Sequence, residues 1–427
     1  MSVSAKDNTA AIPPSGPAQG EFARGWTILL AALLGTMCGA SPVPYNTIGS
    51  FLKPLTEEFG WNVGDIQIGI LMYGLTGCIM APIVGGLADK YGTRRVGLLA
   101  LAGFGLAFAA TGLTSSLFMF YTMYFLMGLL GIGSTPVTWS RAVNLWFVRH
   151  RGLALGIMLV GTGIAAFILP SLTVFLIERY GWRVAYAVVA LLPLLVAFPV
   201  VYAFLRDPGP GDVSGNGQDG LSANVRTGVP LNQVLRDRRF WIMILSFLMV
   251  SLAYGGFHTN LQNMIRLKGF SDEAGALIAG CVGLSIIVGR IGTGYLVDRF
   301  WAPMVALPLL SMPAFACMIF IGDAAPLPLI ILAAVMLGFA AGAETDLIAY
   351  LSGRYFGMAY YGRIYGMLYA AFAAGSSFSP PLYGYVYASS GTYAPVLIAA
   401  ALMFVGGGIL LLGLGRYPTS FPVAAKR

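Results

Sequence analysis

The chain has 427 residues, of which 57% are hydrophobic and 10% charged, with a formal net charge of +8. Charged residues make up about 25% of soluble domains, so this composition excludes a soluble globular protein and makes lipid the solvent for almost every element. The basic excess forms no patch with interleaved aromatic residues; it is assigned to membrane topology and anionic headgroups, and no nucleic-acid partner is expected.

In chain order, residues 1–23 are polar and rich in Pro and Ala without an apolar core, and read as a disordered tail and not as a signal peptide. Apolar runs long enough to cross about 30 Å of hydrocarbon follow at 26–49, 65–88, 96–113, 116–140, 152–176, 183–205, 240–262, 274–297, 303–322, 326–351, 361–387 and 393–415. These are twelve spans, six in each half. The long break at 206–239 is a polar, Gly- and Pro-rich linker. Its end, Pro230 to Arg239, sets Leu231, Val234 and Leu235 against Arg236, Arg238 and Arg239, a pattern for a short helix lying on the inner leaflet. The domains expected are therefore a bundle at 24–205, the linker, a bundle at 240–415 and a tail at 416–427.

Orientation follows from lysine and arginine, because short positively charged loops stay cytoplasmic. With the N-terminus inside, 19 of the 25 basic residues lie at cytoplasmic ends or loops, and only Lys53, Arg179, Arg183, Arg266 and Lys268 lie outside. Both termini are then cytoplasmic, and the short loops fit a bacterial inner membrane. Cys38, Cys78, Cys281 and Cys317 fall in different spans without CxxC spacing and read as reduced packing residues.

A repeat organises the chain. Gly85-Gly86-Leu87-Ala88-Asp89-Lys90-Tyr91-Gly92-Thr93-Arg94-Arg95 has a weaker copy in Gly294-Tyr295-Leu296-Val297-Asp298-Arg299, and aligning the aspartates gives an offset of 209 residues. Trp146-Phe147 recurs as Tyr355-Phe356 at the same offset. Two landmarks with one offset imply duplicated halves, the architecture of a membrane transporter that rocks around a central site. The fold expected is all-α and integral to the membrane, with twelve transmembrane helices in two pseudo-symmetric six-helix bundles.

The Asp89 segment has its own logic. Gly85 permits close helix approach, Asp89 ends a span at the inner surface next to the N-terminus of the following helix, and Arg94 and Arg95 offer cations to nearby carboxylates or helix ends, with Arg141 a further gate candidate. With Asp298 as the second copy, these residues are candidates for a gate that latches the halves; a topogenic charged turn is the plainer alternative. The segment resembles the GxxxDKxGxRR loop of the major facilitator superfamily, found between spans two and three with a degenerate copy between spans eight and nine. Trp146-Phe147-Val148-Arg149-His150-Arg151-Gly152-Leu153-Ala154-Leu155-Gly156 resembles the monocarboxylate-porter pattern at the start of span five. Arg354-Tyr355-Phe356-Gly357 with Tyr361-Gly362-Arg363-Ile364-Tyr365-Gly366 is similar to the oxalate/formate-antiporter-like branch. One departure is Ala23-Arg24-Gly25-Trp26, where those porters usually open span one with an acidic residue and Gly-Gly-Trp.

Arg290 is the foremost candidate for substrate binding. It sits within span eight, roughly 7–8 Å to the cytoplasmic side of its midpoint at 1.5 Å per residue, where a charge costs about 2.5–3.5 kcal/mol even on the lenient insertion scale. It needs a counter-ion or a wet cavity, and its planar fork suits a carboxylate; a structural ion pair or snorkelling toward Asp298 is the alternative. The resemblance implies a substrate-binding arginine at this point of span eight, although the acid that animal-type porters carry one turn earlier is Ile286 here. Glu344 and Asp346 in span ten supply intramembrane carboxylates at similar depth. Two residues apart on a helix point about 200° from each other, so at most one squarely faces a cavity. Either could carry a proton, with Glu344 slightly preferred because Asp346 lies nearer the inner surface. A static clamp to Arg141 or Arg354 is the competing reading.

Other candidate cavity residues are Tyr45 and Asn46 beside the Pro42/Pro44 kink, Tyr121 and Tyr124 in span four, Asn260 in span seven, and Tyr369 and Phe372 in span eleven. Oxalate exchangers carry a lysine where Phe372 aligns, so the resemblance implies a monocarboxylate; the aromatic and methionine content of the cavity helices suits an acid larger than formate, aromatic acids included. His258 and His150 are set aside. No GxxxxGK[ST] loop, metal-ligand cluster or nucleophile–base pair appears, so no cofactor, metal or enzymatic role is expected. The expected partners are a small organic anion, protons and the bilayer, with the chain a monomer. The leading reading is a proton-coupled monocarboxylate symporter, the others an organic-anion exchanger or exporter and a transporter-like sensor.

Overall fold

The computed structural model describes residues 21–61, 63–207, 227–270, 272–322 and 325–421. Most of the expected N-terminal tail, the centre of the linker and residues 422–427 lie outside them. Among the described residues the chain is helical apart from turns and one isolated bridge between Gly228 and Gly357.

Ten helical stretches are long and apolar enough to cross a membrane, judged on the described residues. The other two spans depart for identifiable reasons. Span one is split into Glu21–Met37 and Val43–Phe59, because Pro42 and Pro44 bring no N–H to the ladder. The second piece runs to Phe59 and stops at Gly60, whose φ of 69° is left-handed, so residues 50–59, expected as a loop, are helical. Span eleven, Tyr361–Ser390, is rich in tyrosine, serine and glycine and packs on span two of the other half.

Span two is Val63–Tyr91, span three Thr93–Thr111 and span five Arg151–Tyr180. Span four joins Leu117–Gly131 to Pro136–Trp146 through a short 3₁₀ turn ahead of Pro136. Span six, Trp182–Leu191 and Phe198–Phe204, is joined through a π-helical stretch containing Pro193. In the second half, span seven is Arg238–Leu267, span eight Asp272–Arg299 and span ten Leu327–Phe356. Span nine, Ala302–Ser311 and Pro313–Ile321, is interrupted at Met312, and span twelve is Ala394–Leu412. The expected linker helix is one turn, Leu231–Val234. All four cysteines are free.

Two pseudo-symmetric bundles of six spans result, and they meet along two seams, span two on span eleven and span five on span eight. Both seams are closest at the end that carries the basic turns, called the basic end below. There Gly85 faces Gly362 and Gly152 faces Gly294, and a Cβ on any of the four would run into the carbonyl oxygen opposite. Close backbone approach is what a small residue permits at a helix crossing. The repeat explains the pairing: Gly85 and Gly294 are 209 residues apart, as are Asp89 and Asp298.

Each crossing is fastened by a carboxylate from one half on a helix N-terminus of the other. Asp89 accepts from the backbone N–H groups of Gly362 (2.9 Å) and Arg363 (3.0 Å), at the start of span eleven. Asp298 accepts from those of Gly152 (2.7 Å) and Leu153 (2.9 Å), at the start of span five. The first-turn amides of a helix have no intrahelical acceptor, and the helix dipole favours an anion there. These crossed caps hold the basic end shut.

Gly362→Ala and Gly294→Ala would overpack the crossings, a class of change costing about 1–3 kcal/mol. Each is expected to weaken closure at the basic end. Hydrogen exchange should then be faster at the Gly152, Leu153, Gly362 and Arg363 amides, with the cores of the two bundles unchanged.

Candidate functional site

Arg290 lies where spans five, eight and ten meet. Its side chain is buried, with 6% of the residue exposed, and Nη1 donates to Asp346 Oδ1 at 2.8 Å and to Thr345 Oγ1 at 2.7 Å. The other half closes over the pair through Gly156 of span five. A Cβ there would stand 2.7 Å from the Arg290 carbonyl oxygen and 3.5 Å from Asp346 Oδ2. The site is thus a seam element, bounded by both halves.

Its hydrogen bonding is incomplete. Arg290 Nε, Asp346 Oδ2, Glu344 Oε1 and the Tyr365 hydroxyl are all buried without a hydrogen-bond partner. Buried polar atoms are normally paired, and an unmet one costs about 1–3 kcal/mol, more for a charged group. Tyr365, from span eleven, lies within electrostatic reach of Arg290 and Asp346, and Tyr254 of span seven within reach of Arg290 and Glu344. Four unmatched atoms, two of them in the ion pair itself, make this a polar focus in the interior.

The 200° separation of Glu344 and Asp346 decides which acid meets the arginine: Asp346 does, while Glu344, 1% exposed, points elsewhere. Neither Arg141 nor Arg354 is the clamp. Arg141 is wholly buried and its Nε donates to Asp89 Oδ1 at 3.0 Å, with Nη1 on Thr93 Oγ1. The Arg354 guanidinium lies over the Tyr417 ring. Arg94 turns onto span six, where it stacks over Tyr202 and bonds its carbonyl oxygen at 2.5 Å, and Arg95 is exposed. Among the candidate gate residues, Asp89, Arg141 and Asp298 therefore gather at the seams, and Arg94 and Arg95 do not.

The polar candidates divide in the same way. Tyr369 faces Ser41, and Tyr45 lies beside Ser377 and packs edge-on to Tyr73, so both stand between the halves. The Phe372 ring lies beside that of Tyr369, tilted by 41°, with centroids 5.6 Å apart. Asn46 is occupied by the Pro42 carbonyl. The structure does not bring Tyr121, Tyr124 or Asn260 to Arg290. Tyr121 donates to the Asp65 carbonyl, Tyr124 pairs with Tyr186 in the core of the first bundle, and Asn260 links span seven to Tyr393.

Thr345, Tyr254 and Tyr365 are the neighbours that the residue pattern alone left out. A signal for Tyr365 was present: Tyr361, Tyr365, Tyr369 and Phe372 recur at helical spacing. They form a ladder along one face of span eleven, with successive centroids 5.7, 6.1 and 5.6 Å apart.

Breaking a buried ion pair from one side costs about 3–5 kcal/mol, because the remaining charge is left uncompensated. Asp346→Ala is expected to lower the thermal unfolding midpoint in detergent sharply, and Arg290→Met combined with Asp346→Leu to recover most of the loss. Glu344→Gln removes no partner from Arg290, so it should leave the midpoint unchanged or raise it.

Comparison with known proteins places this geometry. A model of the Major Facilitator Superfamily matches residues 26–327. Monocarboxylate transporter 13 of Bos taurus is 25% identical over 91% of this chain and 88% of its own length. A probable sulfoacetate transporter of Cupriavidus necator is 25% identical over 88% and 91%. Among solved structures, the fucose:proton symporter of E. coli superposes with a TM-score of 0.68 at 15% identity, covering 92% of this chain and 99% of that one. A human organic anion transporter does so with 0.67 at 17%, over 92% and 100%. At such identity the structural likeness speaks for the fold alone. With the family match over most of its length, the duplicated six-span bundles and the crossed caps, the chain belongs to the Major Facilitator Superfamily as a multi-pass membrane transporter and not an enzyme.

Proposed function

We propose that this transporter carries a small organic monocarboxylate together with a proton, by alternating access, as a monomer in a bacterial inner membrane with both termini cytoplasmic. The observation that carries the proposal is the buried Arg290–Asp346 pair with its unmatched neighbours at the seam between the halves. The names of the relatives, monocarboxylate and sulfoacetate transporters, agree in substrate class.

The coupling follows from charge balance. With Asp346 ionised, Arg290 is paired and the site has no surplus cation. When Asp346 takes a proton, Arg290 loses its counter-ion, and a substrate carboxylate replaces it on the guanidinium fork. The loaded site then holds one cation and one anion, as the empty site does, so moving it across the membrane strands no charge. Release of the carboxylate lets Asp346 ionise again and hand on its proton. Glu344 is the reserve acid, facing Tyr254. Tyr365 supplies a hydroxyl to the bound anion, Tyr45 and Tyr369 sit along the approach, and Phe372 makes the wall apolar where a dicarboxylate would need a second cation. The crossed caps of Asp89 and Asp298, with Arg141, form the cytoplasmic gate.

Uptake of labelled mono- and dicarboxylates into proteoliposomes, with and without an inward proton gradient, tests this. Gradient-stimulated uptake of a monocarboxylate is expected, abolished in Arg290→Ala, while Asp346→Asn keeps substrate binding and loses the stimulation. Uptake indifferent to the gradient that requires preloaded anion would replace symport by exchange. Uptake that survives Arg290→Ala would make the arginine structural and sink the proposal.

A further inference from the structure

A second candidate site lies at the basic end, on the seam between spans five and eight. A cleft of about 500 Å³ opens where the start of span five meets the end of span eight. Phe22 and Leu153 from the first half and Tyr295 from the second make its apolar walls, and Arg149, His150 and Arg299 bring nitrogen to it. Arg149 and His150 belong to the first half and Arg299 to the second, so cations from both halves face one space across the seam.

The carboxylates nearby are already committed. Asp298, also at the cleft, accepts from the Gly152 and Leu153 amides. Glu21 accepts from the backbone N–H groups of Val148, Arg149 and His150 and pairs with the His150 ring at 3.3 Å. The Arg149 guanidinium has no hydrogen-bond or ion-pair partner among the described residues, and that of Arg299 only lies over the Tyr295 ring at 4.0 Å. Closing the basic end thus brings two exposed arginines, one from each half, to one cleft. An anion held between them adds a contact across the seam.

We propose that this cleft binds a phosphate group, whose oxygens suit two guanidinium forks, and that its occupancy stabilises the state closed at the basic end. The apolar walls at the mouth of a helix bundle, at headgroup level, point to the phosphodiester of an anionic lipid; a soluble phosphate ester shares the same chemistry. The inference rests on the fold and the gate, not on the identity of the transported substrate.

The test is hydrogen exchange at the Gly152 and Leu153 amides, which report the gate. The full chain is placed in nanodiscs of phosphatidylcholine alone or mixed with phosphatidylglycerol, alongside Arg149→Gln/Arg299→Gln and Arg149→Lys/Arg299→Lys. Phosphatidylglycerol is expected to slow exchange by about fivefold, the worth of one arginine at an anionic surface. The response should vanish in the glutamine pair and persist, weakened, in the lysine pair. Inorganic phosphate or glycerol 3-phosphate added to phosphatidylcholine discs separates the sources: slowing there that depends on the two arginines keeps the site and makes its ligand soluble. No slowing by any of these compounds, or an equal response in parent and glutamine pair, overturns the proposal.

Discussion

The structure turns on helix N-termini borrowed across a seam. Span five and span eleven each begin with amides that their own helices cannot satisfy, and the acceptor comes from the opposite bundle, Asp298 in one case and Asp89 in the other. Hydrogen bonds to a charged acceptor are worth about 1.5–3 kcal/mol each, so opening this end has to be matched by contacts formed at the other. Everything else at the basic end serves the approach: paired glycines bring the backbones close enough, and a fully buried Arg141 steadies Asp89 from its own half.

The same seams set the depth of the polar site. Gly156 lies one helical turn beyond Gly152 on span five, and Arg290 one turn before Gly294 on span eight, so the crossing that shuts the gate also lays backbone over the ion pair. Gate and site share two helices and cannot move independently. The Asp346 partner comes from span ten, which packs on span eight within the same half, so the pair rides with one bundle while the lid over it belongs to the other.

Much of this was legible in the residues. The 209-residue offset marked both aspartates as equivalent, although the helix expected to receive Asp89 was the following one and the structure gives it span eleven of the other half; the charge of Arg290 called for a counter-ion, and an acid at its depth supplies it. Between Glu344 and Asp346 the residues offered depth and not azimuth: which side of span ten faces span eight is decided by packing among Gly338, Gly342 and span eight, and that sets Asp346 on Arg290. Tyr124 and Asn260 looked like cavity residues because polarity marks a need for partners without saying where they lie, and Tyr186 and Tyr393 met that need within single bundles. Thr345 was invisible because a hydroxyl in a span commonly bonds its own helix. The split of span one was announced by its prolines, whereas its helical extension to Phe59 replaced a stretch that composition marked only as polar.

The donors in both latches are peptide N–H groups, which every residue but proline possesses. The receiving face of the gate is therefore held by the chain's path and not by side chains. Substitution can erase the aspartates or crowd the glycines, but exchanging Leu153 or Arg363 for most other residues leaves the amide in place. A scan of single substitutions would see one side of each latch and miss the other, making a reciprocal contact look like an isolated acidic residue. The two positions remain free to vary for other ends, such as surface charge, without loosening the closure they take part in.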